Sequence, residues 1–100
     1  MATTTKALAR TAAATSSTTL YTVPASTTAI ITNIAVTNTA GSAGTFTLAL
    51  DGVALHTTAA IGANTTIYID LKQVLATTKT ITGSASATTI NFHISGIEVS

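Results

Sequence analysis

Nine side chains could carry acid–base or metal chemistry here or stack on a ligand: His56, His93, Asp51, Asp70, Glu98, Tyr21, Tyr68, Lys6 and Arg10. A His pair with nearby carboxylates can ligate zinc or activate a Ser or Thr nucleophile. Either use needs a spacing that converges the groups. The chain has no His-x-x-x-His, no Gly-x-Ser-x-Gly and no paired-carboxylate motif. Both His fall on outward positions of predicted strands, where a His is ordinarily a solvated or interface residue. In a trimer, one of them would meet its copies at the axis. Gly41, Gly44 and Gly62 do not lead a strand into a helix as a phosphate loop does, so they read as loop glycines. Tyr21 and Tyr68 lack the accompanying Arg/Lys groove of a nucleic-acid platform, which leaves core packing or interface anchoring. Thr-x-Thr recurs from Thr37 to Thr82, but without the fixed period that an ice-binding solenoid requires. No catalytic residue, metal or cofactor is expected.

The elements that hold these residues are strands. Asp51-Gly52 lies between two alternating runs, Thr45–Leu50 and Val53–Thr58, and Asp-Gly is the strongest short hairpin signal because a type I′ turn needs positive φ at both central residues. A two-residue loop there predicts the pairs Leu50–Val53, Ala49–Ala54, Leu48–Leu55 and Thr47–His56. It also sets Phe46, Leu48, Leu50, Val53 and Leu55 on one face. Strands are further predicted over 20–23, ended by Pro24, over 29–38 with Ile30, Ile34 and Val36 inward, and over 65–71 with Ile67, Ile69 and Leu71 inward. Residues 72–76 read as a helical turn. Residues 79–86 read as an edge strand or bulge at Gly83, and 89–95 as a strand with Ile90, Phe92 and Ile94 inward, bent at Gly96. Short strands with turn signals between them predict an all-β fold: a small antiparallel β-sandwich, jelly-roll-like, of seven to eight strands. Residues 1–18 read as an N-terminal arm and 19–100 as the sandwich domain.

Composition narrows the function. A quarter of the residues are Thr and nearly a fifth Ala, charged residues make up 7%, and the net charge is +1. Thr, β-branched, takes the outward positions that Lys and Glu usually hold. A surface this neutral suits a protein docked to others, offers no electrostatic footprint for nucleic acid, and holds no apolar run of membrane-spanning length. With no cysteine, disulfides and thiolate metal sites are excluded. The first 19 residues lack the continuous apolar stretch of a secretory signal.

Several segments form a longer pattern: Thr18-Thr19-Leu20-Tyr21-Thr22-Val23-Pro24-Ala25, Ile34-Ala35-Val36-Thr37-Asn38-Thr39, Ala43-Gly44-Thr45-Phe46-Thr47-Leu48, Ile61-Gly62-Ala63-Asn64-Thr65-Thr66 and Asn91-Phe92-His93-Ile94-Ser95-Gly96-Ile97-Glu98. With the opening Met1-Ala2-Thr3-Thr4-Thr5-Lys6, it resembles a family of small Thr/Ala-rich virion structural proteins of tailed bacteriophages. The Asp51-Gly52 hairpin is shorter than the corresponding loop of that family. The resemblance implies a virion structural protein, first a capsid decoration (cement) protein on the capsid surface. Such a protein would bind the major capsid protein and itself as a homotrimer, with contacts through Thr3, Thr4, Thr5, Lys6, Leu8, Arg10 and Tyr21. The alternative it implies is a tail, neck or fibre-associated structural or receptor-binding module.

Overall fold

The computed structural model describes residues 3–100, and every regular element among them is a strand. The strands are β1 Thr3–Ala12, β2 Thr18–Thr22, β3 Thr28–Asn38, β4 Gly44–Leu50, β5 Val53–Ile61, β6 Thr65–Leu75, β7 Thr80–Ala85 and β8 Ile90–Val99. They form two four-stranded sheets, β1-β8-β3-β6 and β2-β7-β4-β5, with all pairs antiparallel. The first strand pairs with the last, the second with the one before last, and so inward to the β4–β5 hairpin. This is one long hairpin rolled over itself, the jelly-roll form of a β-sandwich. The Asp51-Gly52 turn is its tip. Asp51 at φ 54° and Gly52 at φ 74° have the two positive angles of the predicted type I′ turn.

Between the sheets lies an aliphatic core with two rings at its centre. The first sheet supplies Ile31, Ile34, Val36, Ile90, Phe92 and Ile94, and the second Tyr21, Phe46, Leu48, Ile61 and Ile81. Phe46 and Phe92 meet edge-on across the sheets, centroids 6.3 Å apart. Ile90, Phe92 and Ile94 point inward as their alternation predicts, and Ile67, Ile69 and Leu71 pack against the core margin.

Five expectations are corrected, and bulges explain most of them. Residues 3–12 are no separate arm: β1 pairs with β8 from Thr3↔Val99 to Ala12↔Asn91, so the boundary at residue 18 does not divide the fold. Leu8 sits at a bulge and Ala13 just beyond the strand, and both are buried, which hides the period of this segment among Ala and Thr. In β3 the inward residue is Ile31 rather than Ile30, because an irregularity between Ile31 and Asn33 switches the phase before Ile34 and Val36. The same irregularity carries β6 through 72–75 as strand, with no helical turn. In the hairpin, Leu50–Val53 and Ala49–Ala54 pair as predicted, but Leu48 then faces His56 and Phe46 faces Ala59. Leu55 is the extra residue near the turn. Thr58 takes φ 49° and donates its N–H to Thr47 Oγ1 at 3.0 Å. Val53, beside the turn at the tip of the hairpin, is 69% exposed rather than inward. Finally, β7 is an inner strand between β2 and β4; β8 runs as strand through Gly96 to Val99.

Asn38 is the buried polar post of the fold. Its Nδ2 donates to the carbonyls of Ser42 (2.9 Å) and Gly62 (3.2 Å), and its Oδ1 accepts from the Ala40 N–H (3.0 Å). One side chain thus fixes both the β3–β4 loop and the start of the β5–β6 turn. Asn38→Leu should cost about 1–3 kcal/mol, since the buried amide no longer holds the three backbone groups it bonds. A urea midpoint shift checks it, and an unchanged midpoint would show that the loops are held otherwise.

Candidate functional site

The two His lie on different sheets, His56 on β5 and His93 on β8. They do not converge within one chain. The His56 ring packs on Phe46 at 5.7 Å, half-buried rather than outward as expected, because the hairpin bulges bring it onto the Phe46 side. His93 does lie outward, between the inward Phe92 and Ile94. Among the described residues, no three His, Cys, Asp or Glu side chains come together as metal ligands.

What the fold does assemble is a surface. Antiparallel register places outward residues of the first sheet in rows across its four strands, and residues opposite one another stand about 4.5–5.5 Å apart at Cβ. One row is Arg10, His93, Ala35, Tyr68. The next, in one direction, is Ala12, Asn91, Thr37, Thr66, with Thr37 and Thr66 hydroxyls 3.1 Å apart. In the other direction follow Ala7, Ser95, Asn33, Asp70 and then Thr5, Ile97, Ile30, Val74. Beyond these, Thr3 and Thr28 flank Val99. The outer face therefore has a polar half holding Arg10, His93, Tyr68 and Asp70, and an aliphatic half holding Ile30, Ile97, Val74 and Val99. Tyr68 and Val74 are 73% and 66% exposed. An antiparallel sheet with one face on the core ordinarily turns polar residues to water on the other. Here part of the outward face is β-branched and apolar.

A smaller apolar cleft of about 230 Å³ opens beside the hairpin tip, lined by Leu50, Val53, Ala54, Leu55 and Gln73. It is shallow and holds no charged group.

The residues expected to make contacts divide. Thr3, Thr4, Thr5 and Arg10 are exposed on β1. Leu8 is core, and Tyr21 is buried, so neither offers an outer surface. Tyr21 instead donates its phenol to the Glu98 carboxylate, and the Lys6 ammonium stands 3.4 Å from the same carboxylate. This network joins β2 of one sheet to β8 and β1 of the other at the open end of the sandwich. It has one sequence signal: Glu98 alternates onto the side of the inward residues of β8, where a charge needs partners.

Burial, then the hydrogen bond and charge of Glu98, push the Tyr21 phenol far above its ordinary range. The Tyr21 hydrogen bond first, and then Lys6, hold the Glu98 carboxyl below the usual carboxylate range against the opposing effect of burial. Glu98 therefore adds stability above about pH 4.3, its unfolded value, and that contribution is lost as pH falls through the lower folded value. The raised Tyr21 contributes below about pH 10 and is lost as pH rises beyond it. Tyr21→Phe should cost about 1 kcal/mol at neutral pH and flatten the acid limb of the melting-temperature profile. An acid limb as steep as in the unsubstituted chain would assign the pH dependence to other carboxylates.

The chain is a small all-β jelly-roll module whose first sheet turns a partly apolar face outward. No protein-family model matches the chain, and no curated protein matches it.

Proposed function

We propose that this chain is a structural protein of a tailed-bacteriophage virion, a capsid decoration (cement) protein that binds the outer capsid surface and stabilises contacts between capsomers. It acts by binding and not by catalysis, and its partners are the major capsid protein and further copies of itself. The observation that carries this reading is the outer face of the first sheet, where Ile97, Ile30 and Val74 form one aliphatic row beside the rows of Asp70 and Tyr68. Such a face is worth covering. Burial of β-branched side chains gains about 25 cal/mol per Å², and many weak contacts repeated over a symmetric shell add by avidity without strong charge complementarity. A chain with 7% charged residues fits that mode of attachment. The likeness of the strand and turn residues to small phage virion proteins supports the same reading.

Co-sedimentation of the purified chain with expanded empty capsids of the encoding phage tests it. Saturable binding at a fixed number of copies per capsid is expected. Binding to isolated tails and not to capsids would move the chain to the tail, neck or fibre. Binding to neither would overturn the virion role.

A further inference from the structure

Both edges of the first sheet are open, and they differ in charge. β1 forms one edge and carries only cations, Lys6 and Arg10. Lys6 is held by Glu98, which leaves Arg10 as the charge of that edge without an ion-pair partner among the described residues. β6 forms the other edge and carries Asp70 and Lys72, neither of which has an ion-pair partner among the described residues. Arg10 and Asp70 both point from the outer face and stand in adjacent rows. A long strand edge with unpaired N–H and C=O groups is a template for another chain.

Direction and register allow the two edges to meet. Every neighbouring pair in the sheet is antiparallel, so β1 and β6 run in opposite directions. A second copy set beside the first with the same face outward therefore continues the sheet as an antiparallel ladder. Of the registers that keep the outer faces aligned, two place Arg10 opposite Tyr68 or opposite Asp70 of the neighbour. In both, Arg10 is the direct or diagonal cross-strand neighbour of Asp70, within reach of a long side chain. The two-fold alternatives are poorer. Pairing β1 with β1 brings the Lys6 and Arg10 cations of the two copies together. Pairing β6 with β6 through Asp70 and Lys72 centres the ladder on the irregular stretch between Asp70 and Gln73.

We propose that copies of this chain associate head to tail, β1 of one copy against β6 of the next, with Arg10 and Asp70 meeting across the seam. The contact is heterologous, so it closes into a ring where the rotation allows and otherwise runs on as an open chain. This deepens the self-association of the proposed function by naming the two surfaces that meet, and it rests on that part of the reading.

The absence of cysteine gives a clean test. Opposed residues in an antiparallel ladder have Cα atoms about 4.5–5.5 Å apart, inside the range a disulfide spans. The double variants Arg10→Cys/Asp70→Cys and Arg10→Cys/Tyr68→Cys cover the two registers, and one of them should form a covalent ladder of multimers on mild oxidation, while each single variant stays a monomer on a non-reducing gel. Light scattering should show Arg10→Glu losing the multimer and Arg10→Glu/Asp70→Arg regaining it. Dimers from Asp70→Cys alone would replace the seam with a β6–β6 contact. Failure of both double variants to cross-link, or an unsubstituted chain that stays monomeric up to high concentration, would overturn the seam. Capsid binding by such a monomer would leave the decoration reading standing. Seam formation in a chain that ignores capsids would overturn the decoration reading alone.

Discussion

Gly96→Ala is expected to cost the domain about 3 kcal/mol or more. Gly96 lies in β8, between β1 and β3, opposite Lys6 on one side and Ile31 on the other. A Cβ there would drive far inside van der Waals contact with the Ile30 carbonyl oxygen and come within 2.9 Å of Leu8 Cδ1. The leucine methyl has rotamers to move into. The carbonyl belongs to the backbone of an inner strand, just before the irregularity that changes the phase of β3, and has none. Relief needs β3 and β8 to separate, which gives up ladder hydrogen bonds and core contacts together. Gly41→Ala is the matched control, since a Cβ at Gly41 meets nothing within 4 Å. Equilibrium urea unfolding of the two variants should leave Gly41→Ala near the unsubstituted chain and shift Gly96→Ala to a much lower midpoint. Equal midpoints would mean that the strands do not approach as closely as described.

Phe92→Ala should remove about 3–5 kcal/mol, a large share of the roughly 5–15 kcal/mol by which a small domain is stable. Aromatic residues make up only 4% of the chain, and Phe92 is fully buried on the inner face of β8. Its ring meets Phe46 edge-on across the sheets and closes the space left by Gly83, where a Cβ would lie 3.2 Å from Phe92 Cε2. Apart from Phe46 and Tyr21, the core is built of Ile, Leu, Val and Ala, which are too short to fill the void. Phe92→Leu should recover more than half of the loss by refilling most of the volume. If Phe92→Ala unfolded at the same denaturant concentration as the unsubstituted chain, the two sheets would have to be held by something other than this central contact.

Local chemistry was legible from the sequence wherever it was carried by turn residues and clean alternation. Asp51-Gly52 declares its turn, Pro24 marks the end of β2, and Ile90, Phe92 and Ile94 declare their face. Alternation misleads where one extra residue intervenes. Ile30 and Ile31 are equally apolar, and only the irregularity before Asn33 decides which one enters the core. β1 was hidden for another reason: a strand of Thr and Ala with one Leu has little hydrophobic contrast, so its partner β8, at the other end of the chain, defines it. The same distance in sequence separates Arg10, His93 and Tyr68, which share a row only after the long hairpin has rolled up. No local motif encodes that row. The Tyr21–Glu98–Lys6 network likewise joins three strands, and its only local sign is a carboxylate on an inward position.

The docking role proposed for the outer sheet face is tested most directly by a binding isotherm of the labelled chain on expanded empty capsids, with the unsubstituted protein beside Val74→Asp. Val74 is 66% exposed, so a carboxylate there leaves the core untouched and should leave the melting temperature unchanged. Covered by a partner, the same carboxylate would be stripped of water at the β6 end of the aliphatic row. The expected result is an affinity weakened about tenfold or more, equivalent to about 1.4 kcal/mol per tenfold, in a protein that melts as before. Identical isotherms for the two proteins would contradict docking through this face.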